Sequence, residues 1–374
     1  MSARAFETLE AAYRGRDDGW RRWRTPGQPV VGYVGDTVPV EALSASGALA
    51  WRIAPIEGTT DAADPWIETF ADLDARLIFA RYVEGAYDDL ALLVVPRSSE
   101  TQHKLFLALR EAQRVGLKRG GPALWLHDVL HTQRESSRAY GLARTRGLLA
   151  RLGPIAGRLP GDAELGAAIA AANATRRLLA ELQMRRGAGR VSGRAAQVAT
   201  GALAFLPPAA GHAALAAWLA EPSEMPGPPA GPRLLVKGTP LDHDCLHAMV
   251  EALGADIVAE DDFWGSRAAE PPVAVTPSPL EGLFLHTWRE RPCPRLHPLP
   301  ADGGWFARAL AAGGFDAVLF NHPRPDDTEG WSFPAERERV RAAGLPFLQL
   351  RDDVRTAPDA ARAALAPFIA SLRR

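Results

Sequence analysis

Short apolar runs recur along this chain. Each is closed by a turn and followed by a stretch in which apolar residues return at helical spacing. Residues 29–34 (PVVGYV) predict a buried strand, residues 35–39 (GDTVP) a turn, and residues 40–46 a helix, with Pro39 near a start that suits its fixed φ. Residues 51–55 predict a second strand and 67–84 a helix. Residues 90–95 (LALLVV) predict a fully apolar strand, followed by a helix over 99–115 that Ser98 or Ser99 can cap, and then a strand at 123–126. The rhythm returns late in the chain. Strands are expected at 233–237, 256–259, 317–320 and 347–350, with helices at 242–253, 305–312, 336–343 and 358–372. Apolar strands alternating with helices imply parallel sheets covered on both faces.

Residues 1–24 read as helical and end at Thr25-Pro26-Gly27. From 132 to 220 no strand pattern occurs and Ala, Leu and Arg dominate. Residues 221–232 (EPSEMPGPPAGP) hold five prolines and two glycines, a linker composition. The expected fold class is α/β, with two doubly wound, flavodoxin-like parallel-sheet domains and a helical insertion or layer between them. The boundaries read as an N-terminal helical segment (1–28), a first α/β domain (29–130), a helical region packed on it (131–220), the linker (221–232) and a second α/β domain (233–374). The shared strand–turn–helix unit at the two ends suggests a distant duplication.

Composition narrows the function classes. Apolar residues make up 47% and charged residues 23%, which argues against disorder. The formal net charge of −1 gives no global attraction to nucleic acid or to an anionic membrane. Arg21, Arg22 and Arg24 read as a solvated helix face. Two cysteines, Cys245 and Cys293, exclude a disulfide framework and a four-cysteine metal site within the chain. The opening MSARAFETLE has no signal-peptide core and no apolar run is long enough to span a bilayer, so the expected address is the cytoplasm.

In open parallel sheets ligands bind beyond the carboxyl ends of strands. That rule selects Gly35, Asp36 and Thr37, then Arg97, Ser98, Ser99 and Glu100, then His127 and Asp128. In the second half it selects Gly238 and Thr239, Glu260, Asp261, Asp262 and Arg267, Asn321 and His322, and Arg351 and Asp352. His243 and His247 sit at zinc-compatible i, i+4 spacing, but they lack an obvious third ligand, and a helix start capped by Asp242 is favoured. His127 and His131 receive the same reading, and no metal is expected. The acidic run 260–262 reads as a solvated loop. His322 is placed for acid–base work, with a structural loop histidine at least equally favoured. Thr37 can donate to a ligand carbonyl or cap a helix. No dinucleotide or P-loop glycine pattern and no G-x-S-x-G elbow occurs. Trp125, Trp264, Trp288 and Trp331 fall near strand ends or loops, with core packing favoured for most.

The tip segments 32–41 (GYVGDTVPVE), 94–100 (VVPRSSE), 254–267 and 320–326 (FNHPRPD) resemble the 2-hydroxyacyl-CoA dehydratase and benzoyl-CoA reductase subunit family in order and spacing, over roughly 29–126 and 233–370. The resemblance implies paired homologous subunits around a CoA thioester, an iron–sulfur cluster, and an ATP-dependent electron activator. Gly35, Ser99 and Pro325 stand where many relatives carry cluster-ligating cysteines, and none of the three offers a thiolate. The expectation is therefore a divergent, cluster-less subunit of a heteromeric acyl-CoA dehydratase or reductase, with any iron–sulfur cluster in a homologous partner. Asp36, Thr37, Ser98, Ser99, Glu100, Gly238, Arg267 and Asn321 are the substrate-contact candidates, and Thr37 and His322 the catalytic ones. An inactive binding or scaffold protein is the alternative. A stand-alone non-redox enzyme using His322 and nearby carboxylates is the second.

Overall fold

A computed structural model of the chain describes residues 2–220, 227–269, 271–274, 276, 278–295, 304–324 and 326–373. The first sheet contains β1 (Val30–Tyr33), β2 (Leu49–Arg52), β3 (Leu92–Pro96) and β4 (Ala123–His127) in the order β2-β1-β3-β4, all parallel. The second contains β5 (Arg233–Gly238), β6 (Asp256–Glu260), β7 (Ala317–Asn321) and β8 (Phe347–Leu350) in the order β6-β5-β7-β8, also parallel. Both expected sheets are therefore present, with the same strand order. The direction of strand addition reverses between β1 and β3 and between β5 and β7, and each reversal leaves a crevice at the strand tips.

Alternation along the strands explains the two-sided cover. Val30 packs in one core cluster and Val31 and Tyr33 in another. In the second sheet Leu234 and Val236 face one cluster and Leu235 the other. Successive side chains point to opposite faces, and both faces are apolar here, so helices must cover each. The first sheet carries α3 (Val40–Ala45), α4 (Leu73–Val83) and α5 (Glu100–Arg114). The second carries α10 (Cys245–Ala252), α12 (Gly304–Ala312), α13 (Asp327–Ala342) and α14 (Pro358–Ser371).

Between the sheets lie α6 (Glu135–Ala156), α7 (Asp162–Gly187), α8 (Gly193–Ala202) and α9 (Pro208–Leu219), with no strand. Helix α1 (Ser2–Arg14) packs Leu9 and Tyr13 against Val198 and Trp218 of this layer, and a short α2 (Trp20–Trp23) follows. Helix α7 touches both sheets' surroundings. Arg176 pairs with Glu41 on α3, while Arg186, fully buried, donates to Glu260 at 2.7 Å and to the carbonyl of Ile257 at 3.0 Å on β6.

Several boundaries differ from the sequence reading. The second strand is 49–52 and not 51–55: register with β1 ends at Tyr33–Arg52, so Ile53 and Ala54 are apolar without being in the strand. Helix α4 starts at Leu73, six residues late, because 61–72 form turns. Helix α10 starts at Cys245, with Asp244 before it making no side-chain cap; Asp242 is no cap and lies 3.5 Å from Arg355. Helix α13 starts at Asp327, nine residues before the expected 336, and runs through Pro334. A further helix, α11 (Pro279–Leu285), continues as a wide turn over His286–Glu290 in a Pro-rich segment that carried no helical expectation. Residues 221–226 of the expected linker and Pro325 lie outside the described residues. Among those described, no helix is long and apolar enough to cross a membrane.

Candidate functional site

The tips of the two sheets meet. A cavity of about 70 Å³ is lined by Gly35, Ser98 and Ser99 from the first sheet and by Thr239, Cys293 and Arg295 from the second half. Arg295 holds the halves together, 2.8 Å from Asp72 and 3.0 Å from Asp326. Arg291 donates to the backbone carbonyl of Asp36 at 3.2 Å, and Arg355 reaches Asp74 at 2.8 Å. Buried in the cleft, Cys293 has its thiol pushed well above the ordinary range by burial and then by the negative charge of Asp36. It is no ready thiolate.

Local sequence explains the first tip. Gly35 adopts φ +68, a left-handed turn that glycine makes without strain. A Cβ there would stand 2.8 Å from the side-chain Nε2 of Gln102 and 3.2 Å from Pro96. Ser99 caps α5, its hydroxyl accepting from the Gln102 amide at 3.2 Å. Thr37 and Ser98, both buried, share a hydroxyl–hydroxyl hydrogen bond that ties the β1 and β3 tips. At the second tip Gly238 (φ +139) lets β5 approach β7 so closely that a Cβ would be driven into the Asn321 carbonyl oxygen. Asn321 in turn donates its side-chain amide to the carbonyl of Thr239 at 3.1 Å.

Beside this lies a larger cavity of about 1270 Å³, with Arg97, Arg134, Arg138, Arg267 and Arg289 on its wall. Arg267 is buried and bonded to Asp261 at 3.1 Å. Arg134 and Arg289 make no ion pair among the described residues. Trp288 also lines this cavity, its indole donating to the carbonyl of Leu130 at 2.8 Å and its ring stacked on Phe284 at 5.4 Å.

Of the strand-tip residues singled out from sequence, Gly35, Ser98, Ser99 and Thr239 thus line the small cavity, and Arg97, Asp261 and Arg267 the large one. Asp36, Thr37, Glu100, Gly238, Asn321 and His322 line neither. Glu100 is exposed on the first turn of α5. His322 is fully buried between Phe320 and Phe333, ring centroids 5.5 and 5.3 Å away. Burial, and then the Lys237 charge, lower it to about 4, so it is neutral at physiological pH.

The acidic run is not a solvated loop. Glu260, Asp261 and Asp262 are all buried. Glu260 pairs with Arg186 and with His247 at 2.6 Å. Asp261 pairs with Arg267 and Lys237. Asp262 accepts the amides of Leu241, Trp264 and Gly265 at 2.7–2.9 Å. Arg186 and Lys237 come from distant elements, which no local pattern reveals, while Arg267 lies six residues beyond Asp261. His243 and His247 do not share an ion, because His247 belongs to Glu260 and Nδ1 of His243 accepts the Cys245 amide at 3.3 Å. Trp264 is in the core, Trp125 is half-buried and Trp331 is exposed. Sequence reasoning missed Arg295, Asp72 and the arginines 134, 138 and 289. The cysteine-proline-arginine turn at 293–295 was the only local signal for any of them.

Two parallel α/β sheets opposed at their switch points place the chain in the doubly wound α/β class, in which ligands generally bind at the strand tips. The sequence matches the family described as 2-hydroxyglutaryl-CoA dehydratase, D-component, over residues 37–364, and the chain belongs to that family. No curated protein matches it.

Proposed function

We propose that this chain is the non-cluster component of a heteromeric acyl-CoA dehydratase or benzoyl-CoA-reductase-like enzyme. It supplies one wall of the acyl-CoA cleft and the partner interface. A homologous subunit carries the iron–sulfur cluster, and an ATP-dependent activator delivers electrons to it.

The observation that carries this reading is the state of the cluster tips. An iron–sulfur cluster needs thiolate ligands. Gly35 has a left-handed φ and a neighbouring amide where a side chain would extend, and Ser99 spends its hydroxyl on a helix cap. The whole chain has two cysteines, one exposed on α10 and one buried with a raised thiol. These residues do not fit a cluster held by this chain. The arginine-lined cleft supports the other half of the reading. Coenzyme A carries a pyrophosphate and a further phosphate, and arginine binds phosphate oxygens in a bidentate fork. Arg134 and Arg289 stand on that wall without an ion-pair partner among the described residues.

The test is co-expression with a cysteine-bearing homologue, followed by titration of the purified complex with a CoA thioester. A stable complex whose CoA-thioester affinity falls about tenfold or more in the Arg134→Ala/Arg289→Ala variant supports the reading. No association with any homologue contradicts the subunit role. A complex that binds the thioester without turning it over would favour a scaffold.

A further inference from the structure

A second group of ionisable side chains lies apart from the small cavity. The elements that build it are β5, the β7 tip and α13. His322 follows β7, while Glu329 and Glu336 sit two turns apart on one face of α13. All three are buried, at 0%, 2% and 1% exposure, and one ligand-type atom from each lies within 4.8 Å of the others.

The hydrogen bonding of this group is incomplete. Lys237, fully buried, takes Oε2 of Glu329 at 2.9 Å and Asp261 at 3.3 Å. Glu336 is 3.6 Å from the lysine, beyond hydrogen-bond reach. Four buried atoms then have no hydrogen-bond partner: Oε1 of Glu329, both carboxylate oxygens of Glu336, and Nε2 of His322. Orphaned buried polar atoms of this kind cost free energy unless something fills the space between them.

We propose that His322, Glu329 and Glu336 form a binding site for a divalent transition ion of the zinc or manganese class. One imidazole and two carboxylates are a ligand set such ions accept. Bond lengths of about 2.0–2.2 Å place the ligands of a tetrahedral ion about 3.5 Å apart, a small contraction of the group as it stands. Gln349 Nε2 lies 3.3 Å from Nδ1 of the histidine. A half-turn of that amide sets its carbonyl against the ring instead, so that Nδ1–H donates and the Nε2 lone pair points to the carboxylates. Lys237 stays with Asp261 and Oε2 of Glu329, and the ion takes the oxygens it leaves. Glu336, Asp261 and Arg267 also contribute to the wall of the large cavity, so the ion would pin α13 against β7 behind that wall. The site is independent of whether the chain carries an iron–sulfur cluster.

The test uses the full, tag-free chain, stripped with a chelator and dialysed against Zn²⁺, with bound metal measured per chain. About one equivalent is expected, with a higher Tm than the stripped protein. His322→Ala and the Glu329→Gln/Glu336→Gln pair should both lose it. Glu338→Gln, on an exposed glutamate that pairs with Arg337 and Arg341, should keep it. Less than half an equivalent in the folded wild-type chain, or full binding by His322→Ala, would overturn the proposal. A second measurement needs no variant. The Co²⁺-loaded wild-type chain should show one strongly shifted, exchangeable imidazole N–H proton resonance, and its absence overturns histidine ligation.

Discussion

Replacing Arg186 by Met should remove about 3 kcal/mol of stability at pH 7. Arg186 leaves α7 and ends in a pocket where neither it nor Glu260 is exposed to water. It bonds both carboxylate oxygens of Glu260 and the carbonyl of Ile257, while His247 takes the same carboxylate from the other side. Burial alone would raise the Glu260 carboxyl; Arg186 and His247 outweigh that and bring it from 4.5 to about 2. At about 1.36 kcal/mol per tenfold change in acidity, that preference for the ionised form corresponds to about 3 kcal/mol. Breaking a buried pair by removing one partner costs about 3–5 kcal/mol in general, which agrees. Because the folded value is depressed, the contribution is complete above pH 4.5 and disappears as pH falls towards 2. Urea denaturation followed by far-UV circular dichroism, at several pH values, measures both effects. The gap between wild type and Arg186→Met should be widest near pH 7 and close through that acid window. The Arg186→Met/Glu260→Gln double variant should recover part of the loss. A gap below about 1 kcal/mol at pH 7, or one that does not narrow in acid, refutes the reasoning.

Two substitutions test the strand tips. Ser99→Ala should cost about 1 kcal/mol and Ser99→Gly only a few tenths, read as shifts in the denaturation midpoint, because the hydroxyl is a helix cap; equal losses from the two would deny that role. Gly238→Ala should destabilise by at least about 2 kcal/mol, since its Cβ collides with the backbone of Asn321 and φ is +139; an unchanged Tm would show that β5 and β7 do not approach as described.

Much of the fold was legible because both sheets are buried on both faces. A strand covered on each side must be apolar throughout, and residues such as Leu92 to Val95 announce this without any alternation. What failed locally failed for identifiable reasons. Pro334 sits inside α13, where it lacks the N–H that would bond to Gly330 one turn back, and a proline in helical spacing reads as an end. Ile53 and Ala54 are as apolar as a strand, but the paired register ends at Tyr33–Arg52, with the Ile53 amide making the last bond to Tyr33. The acidic run at 260–262 reads as solvated because Arg186, Lys237 and Arg267 are supplied by α7, β5 and a later turn. The tip rule found Gly35, Ser98, Ser99, Thr239, Arg97, Asp261 and Arg267 at cavities. It also gathered Gly238 and Asn321, which serve the close approach of two strands. One sign of the His322 group was readable, the seven-residue spacing of 322, 329 and 336, but it gains meaning only once α13 is known to start before 329.

The central claim is that this member of the dehydratase family does not itself hold iron, and iron analysis with electron paramagnetic resonance on the anaerobically purified, isolated chain tests it most directly. Iron far below one atom per chain, with no cluster signal after reduction, is the predicted result. About four irons per chain with a cluster spectrum would contradict it.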